Sequence, residues 1–306
     1  MGRFILRRLV QAVIVIIGVT TVVFVVTRMV GDPVKVMLPI EATAENRAAL
    51  ESQLGLDQPI LTQFGDYLSG AVRLDFGDSL WQRRPAMTIV FEKLPATFLL
   101  VFTAFALALI FGIVGGIIAS LRPGGWVDRI TVSFSLLGLS VPQFWLGLIL
   151  IVVFAVILQW LPTSGIGSVS KLILPAVTMA APMAGRIVMI TRSSMIDEFN
   201  NQHLRNARAK GLGSVRIVGL HAFKGASVAV LTLAGWELIG ALAGFSVVVE
   251  TVFAWPGLGL TAIQAIQRQD LILLQAIVFI VALMVVVINA VIDVIHKLID
   301  PRVTLG

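Results

Sequence analysis

The segment from Arg192 to Lys224 contains Ala207-Arg208-Ala209-Lys210-Gly211-Leu212-Gly213, a basic and polar stretch set between two long apolar ones. How it is read decides the fold. If the flanks are core helices of a soluble domain, the insert is a surface loop with no further meaning. If they are membrane helices, the insert is a loop held in water at the bilayer surface, and what it meets there decides the function.

The flanks and the composition decide for the membrane. Of 306 residues, 58% are hydrophobic and only 13% charged, and the mean hydropathy is +0.97. Soluble domains carry about 25% charged residues, and a chain this apolar would expose large hydrophobic patches in water. The high isoelectric point of 10.3 does not indicate nucleic acid, because the Lys and Arg residues sit in short segments beside apolar runs, as orientation signals do. The sequence has no cysteine, so no disulfide staples an external part.

A spanning helix needs about 20 predominantly apolar residues. Runs at 9–27, 96–121, 130–160, 172–191, 225–249 and 271–295 meet that need and predict six transmembrane helices in an all-α membrane protein. The first run follows Arg3, Arg7 and Arg8 like a secretory signal, but it is 19 residues long and no small-x-small cleavage site precedes Arg28, so it reads as a retained span. Pro142 is expected to break or kink the third span, and Pro175 and Pro182 the fourth. With the N-terminus in the cytosol, the inside segments hold Arg3, Arg7, Arg8, Arg122, Arg129, Arg192, Arg205, Arg208, Lys210, Arg216, Lys224, Lys297 and Arg302, while the short outside loops hold Lys171 and Arg268. That bias predicts both termini in the cytosol. The segment between Arg28 and Lys93 is long enough to translocate regardless of charge. The expected division is therefore a first helix over 1–28, an external domain over 29–95, and a transmembrane domain over 96–306 that carries the cytosolic insert 192–224. Within the external domain, helices are expected at 44–54 and within 58–71, the latter with Pro59 near its start, and a turn at Asp75-Phe76-Gly77-Asp78.

No catalytic pattern emerges. His203, His221 and His296 lack metal-ligand spacing. Gly165-Ile166-Gly167-Ser168-Val169-Ser170-Lys171 lacks the Gly-Lys-Ser/Thr ending of a phosphate loop and reads as a turn. No metal site and no nucleotide site is expected in this chain. Glu237 sits near the centre of the fifth span, where a charge costs about 2.5–3.5 kcal/mol on insertion scales. It reads either as a lining residue of a solute pathway or as a structural partner for Arg186. Arg186 and Asp293 lie close enough to the cytosolic face to snorkel. Gly112 with Gly116, and Gly240 with Gly244, permit close helix approach, either within one bundle or against a second membrane subunit.

The insert itself reads as helix, glycine turn, helix. Residues 195–210 place Ile196, Phe199, His203 and Ala207 at helical spacing, with Asp197 and Glu198 in the first turn and Arg205, Arg208 and Lys210 toward the end. Gly211 and Gly213 supply the turn. Ser214 is placed to cap a second helix with Val215, Val218 and Ala222 on one face. Ala207 and Ala209 offer little bulk, so another surface can approach closely.

Ala207-Arg208-Ala209-Lys210-Gly211, followed by Leu220-His221-Ala222, resembles the cytosolic coupling loop of ABC importer permeases, with Arg205 and Asn206 in place of the Glu and Ala that open that pattern. Gly31-Asp32-Pro33, Leu54-Gly55-Leu56-Asp57-Gln58-Pro59, Asp75-Phe76-Gly77, Leu94-Pro95-Ala96-Thr97, Pro142-Gln143-Phe144-Trp145, Leu161-Pro162-Thr163-Ser164-Gly165, the run Val249-Glu250-Thr251-Val252-Phe253-Ala254-Trp255-Pro256-Gly257-Leu258-Gly259, and Asp300-Pro301-Arg302 narrow the resemblance to the first permease subunit of the dipeptide/oligopeptide/nickel branch. The resemblance implies a type I importer fold in a bacterial inner membrane, with transport by alternating access. It implies a second homologous permease, two cytosolic ATPase subunits that bind ATP and Mg, an external solute-binding protein, and no cofactor in this chain. Arg205, Ala207, Arg208, Ala209, Lys210, Gly211, Leu212 and Gly213 would form the ATPase-coupling loop, and Glu250, Trp255, Pro256 and Gly257 would face the binding protein. Di- or oligopeptide is the expected solute. The competing reading is a self-contained secondary transporter or channel.

Overall fold

The computed structural model describes residues 2–30, 43, 45, 48, 52 and 57–299. The helix expected at 44–54, apart from isolated positions, and the Gly31-Asp32-Pro33 and Asp300-Pro301-Arg302 stretches lie outside the described residues.

Among the described residues the chain is helical, and no strand forms beyond a single bridge between Asp78 and Pro85. Helix α1 covers Gly2–Val30. It presents Val10, Val13, Ile14 and Ile17 as exposed apolar side chains, as expected where the surroundings are lipid and every backbone group is satisfied within the helix. Helix α2, Ile60–Arg73, begins directly after Pro59, which caps it with φ −56° and needs no N–H there. Helix α3 spans Ala86–Ser120. Helix α4, Trp126–Ser140, and α5, Gln143–Leu150, are followed by a wider-turn segment, Ile151–Ile157. Then come α6, Val169–Phe199, and α7, Gln202–Ala209. Helix α8, Ser214–Val252, includes wider turns at Ile217–Ala222 and Ala241–Phe245. Helices α9, Leu258–Gln267, and α10, Leu271–Ile299, complete the described chain.

Five of these helices are long and apolar enough to cross a membrane, and a sixth span results if α4 and α5 are counted together. That third span is not one rod. Val141 is extended and Pro142 starts a new helix, so the two halves bend by 105°. A proline disfavours the α region for the residue before it, and the break falls there. Pro175 and Pro182 behave differently from expectation, since α6 runs without a break through both. It packs lengthwise against α4 and α8, and such neighbours make an interior proline tolerable in a membrane helix.

The chain forms two compact units. The first comprises Met1–Thr97 with Pro256–Val287. Its core joins Ala86, Ile89 and Val90 of α3 to Leu258 and Ala265 of α9 and to Leu273, Ala276 and Ile277 of α10. Buried Asp270 organises the loops: it accepts hydrogen bonds from the Ser79 hydroxyl (2.5 Å), the Trp81 N–H (3.1 Å) and the Leu273 N–H (3.1 Å). The turn expected at Asp75-Phe76-Gly77-Asp78 is present. Asp75 Oδ1 accepts from the Gly77 N–H at 3.1 Å, and Gly77 has φ +90°. A chain of rings runs from Phe24 through Phe64 and Tyr67 to Phe76 and Phe279, and burial pushes the Tyr67 hydroxyl up to about 12.

The second unit comprises Phe98–Trp255 with Ile288–Gly306. Here α6 is held at close range. A Cβ on Gly112 would lie 2.6 Å from Ile187, and one on Gly116 would lie 2.5 Å from Thr191, so both glycines of α3 serve packing inside this chain. Gly185 of α6 likewise sits against the Ser135 carbonyl of α4. Gly244 has nothing within 4 Å of its virtual Cβ.

Candidate functional site

The insert grows directly out of α6. The apolar run ends near Thr191, but the helix continues to Phe199, because Arg192, Met195 and Glu198 find partners of their own. The single helix expected over 195–210 is therefore two. Asn200 and Asn201 end α6, with Asn201 extended at ψ 144° and its Nδ2 donating to Glu198 Oε2 at 3.0 Å. Asn side chains bond locally and compete with helix continuation. Asp197 and Glu198 thus lie in the last turn of α6, where the dipole does not favour them. Glu198 is held instead by Asn201 and lies 3.7 Å from His203 Nε2.

After α7 the chain turns as the glycines require. Gly211 adopts φ +76°, its N–H donates to the Arg208 carbonyl at 3.0 Å, and the Leu212 N–H reaches the Ala207 carbonyl at 3.3 Å. Gly213 is extended and stands at the N-cap of α8, so Ser214 is the first helical residue and makes no side-chain cap, contrary to the sequence expectation.

The insert has its own small core of Met195, Leu204, Ile217, Ala222 and Ala226, with Phe199, Leu212, Val218 and Phe223 packed against it. Ala207 is 8% exposed and belongs to this inner face, whereas Arg205, Arg208, Ala209, Lys210, Gly211 and Gly213 are exposed and Leu212 is half-buried. On α8 the inward residue is Ile217, while Val215 is 88% exposed. Of the three residues expected on one inward face, Ala222 is buried in this core and Val218 packs against it, so only Val215 departs from the expectation. Between the insert and the end of α3 lies a cleft of about 520 Å³, whose lining includes Ser120, Pro123, Ile196, Phe199, Arg208 and Ile217. The Arg208 guanidinium stands 5.8 Å over the Phe199 ring beside it.

Two ion pairs brace α6. Arg186 donates through Nε and Nη2 to the two carboxylate oxygens of Glu237 on α8, the second at 2.8 Å, and its guanidinium lies 6.0 Å from the Phe245 ring. Arg192 donates through Nε and Nη2 to Asp128 on α4 at 2.5 and 2.8 Å, and Asp128 Oδ2 also accepts the Gly124 N–H at 2.7 Å. Asp128 and Glu237 are buried.

The comparisons with known proteins agree with one another. Residues 112–305 match the family described as binding-protein-dependent transport system inner membrane component, and residues 1–101 match the N-terminal model of such membrane components. The glutathione transport system permease protein GsiC of Escherichia coli strain K12 is 37% identical over 304 residues, covering 99% of each chain. The same protein of Shigella dysenteriae serotype 1 matches equally. The chain belongs to this permease family. It is the membrane permease of a binding-protein-dependent ABC importer, a transport subunit rather than an enzyme, and ATP hydrolysis lies on separate subunits. Inward-facing structures of the MetNI methionine ABC transporter share its fold, with a TM-score of 0.60 at 18% identity, over 70% of this chain and 97% of that one.

The permease's second family-like stretch lies differently from its first. Glu250 and Trp255 are buried at 0% and 1% exposure, and Gly257 is buried as well. The Trp255 N–H donates to the Glu250 carbonyl at 2.8 Å, and Ala254 is held at φ +46° between them. Thr251 and Ala254 are exposed, and Pro256 is half-buried. The residues that sequence reasoning missed are Asp128 and Arg192. Asp128 stands two residues before the apolar run and Arg192 one residue after another, so each passes for an ordinary flanking charge.

Proposed function

We propose that the permease imports di- or oligopeptides, including glutathione-like ones, together with a second homologous permease, two ATPase subunits that bind ATP and Mg, and an external solute-binding protein. Both termini and the insert lie in the cytosol, residues 29–95 form an external domain, and 96–306 form the transmembrane domain. Solute passes by alternating access. The identity to glutathione permeases over the whole chain supports the peptide class. The turn after α7, where Arg208, Ala209, Lys210, Gly211 and Gly213 are exposed, supports the coupling role. The chain itself carries no cofactor.

Glu237 keeps both oxygens on Arg186, which supports a bracing role more than direct solute contact. At the second stretch, Thr251, Ala254 and Pro256 are the positions open to a binding protein, while Glu250, Trp255 and Gly257 maintain the loop. Reconstitution tests the whole reading. Uptake of a labelled dipeptide or glutathione into liposomes should require ATP, the ATPase subunits and the binding protein. Uptake by this chain alone on an ion gradient would overturn it.

A further inference from the structure

Helix α6 is the only part of the insert's root that carries two forked ion pairs among the described residues, and their placement is specific. Arg186 and Arg192 are six residues apart, which puts them about 9 Å apart along the helix and about 120° apart around it. They reach different neighbours: Arg186 holds Glu237 on α8, and Arg192 holds Asp128 on α4. Each grip is bidentate, so sliding or rolling of α6 against either neighbour breaks two charge-assisted hydrogen bonds at once. Neither acidic partner can be released cheaply. Asp128 and Glu237 are 4% and 6% exposed, and a buried carboxylate stripped of its cation is strongly disfavoured. Asp128 is fixed further by the Gly124 N–H, which ties the 121–125 turn to the same point.

We propose that Asp128 and Arg192 are positioning residues for transport: with Arg186 and Glu237 they lock α4, α6 and α8 into one lever that moves with the insert. The insert leaves by α6 and returns by α8, so those two helices are tied to it through the chain. Helix α4 is not adjacent to it in sequence. The Asp128–Arg192 fork is the charged link that joins α4 to the insert's motion, next to the close backbone contacts at Gly185 and Gly138. Without it, motion of the insert would be absorbed by bending at the end of α6.

The inference rests on the insert being the coupling element, and its test separates the two ideas. The chain has no cysteine, so spin labels can be placed at Ser140→Cys, the exposed far end of α4, and Val215→Cys on the insert. In the assembled importer in lipid nanodiscs, the distance between the labels should be the same without nucleotide and with ATP trapped. With Asp128→Asn, which keeps the shape and an acceptor for Gly124, the distance should change or broaden on ATP, and solute moved per ATP hydrolysed should fall by about fivefold or more. A native distance that shifts with ATP overturns the lever. So does an Asp128→Asn importer with unaltered distance and unaltered transport per ATP. If that variant does not assemble, Arg192→Lys, which keeps the charge and loses the fork, takes its place with the same two readouts. Normal transport by Gly211→Val would remove the coupling role of the insert, while the label distance would still report whether the three helices move as one.

Discussion

The insert at 192–224 and the stretch at 250–257 carry the two family-like motifs that stand out most in this sequence, and the fold uses them in opposite ways. In the insert most of the motif is displayed: Arg205, Arg208, Ala209, Lys210 and Gly211 are exposed, while Ala207 is buried and Leu212 packs on the apolar set beneath them. In the second stretch the motif is the packing, for Glu250, Phe253 and Trp255 are inside. A shared sequence pattern can mark a contact or the scaffold of a contact. The residue types separate the two cases, because long cations resist burial while Trp and Phe gain from it.

That contrast can be broken most forcefully at Trp255. Trp255→Ala should cost about 3–5 kcal/mol, read as a large drop in the thermal midpoint of the purified complex and in its yield. A stable, well-assembled variant would mean that Trp255 acts as a surface contact after all. The counterpart on the displayed side is Gly211→Val. A β-branched residue in the left-handed region costs about 1–3 kcal/mol locally, so membrane insertion and yield should persist while solute transported per ATP collapses. Equal transport would show that the turn is display without use.

Glu237→Gln sharpens the middle ground. Removing one partner of a buried pair costs about 3–5 kcal/mol, and solvent access to Arg186 discounts that to about 1–3. The thermal midpoint should fall by several degrees, with similar relative uptake for acidic, neutral and basic peptides. A change in peptide preference by charge would restore the pathway reading. The smallest expected effect is on folding by Arg208→Ala, within about 0.5 kcal/mol for an exposed side chain. Its association with the ATPase subunits, measured by co-purification at rising salt, should nonetheless weaken.

The membrane class, the segments that span, the glycine turn at Gly211 and the break at Pro142 were all legible in the chain, because each rests on local chemistry. Apolar length, a proline's missing donor and a glycine's free φ act within a few residues. Where the reading slipped, competing local choices a few residues apart decided the outcome. Residues 195–210 looked like one helix until Asn201 bonded Glu198. Ser214 looked like a cap until Gly213 took that place. Val215 looked inward with Val218 and Ala222, but Ile217 takes the inward place beside them and Val215 is left exposed.

The sequence by itself determined that this is a multi-pass membrane protein with a polar insert, since hydropathy and turn chemistry are properties of short segments. Only the tertiary structure decided which charges are tied and which are free. Asp128 with Arg192 and Glu237 with Arg186 are 64 and 51 residues apart. Nothing local distinguishes Asp128 and Arg192 from other flanking charges, and the position of Glu237 within a span left open whether it pairs with Arg186 or lines a pathway. Burial against another helix is what turns them from solvated groups into fixed ones.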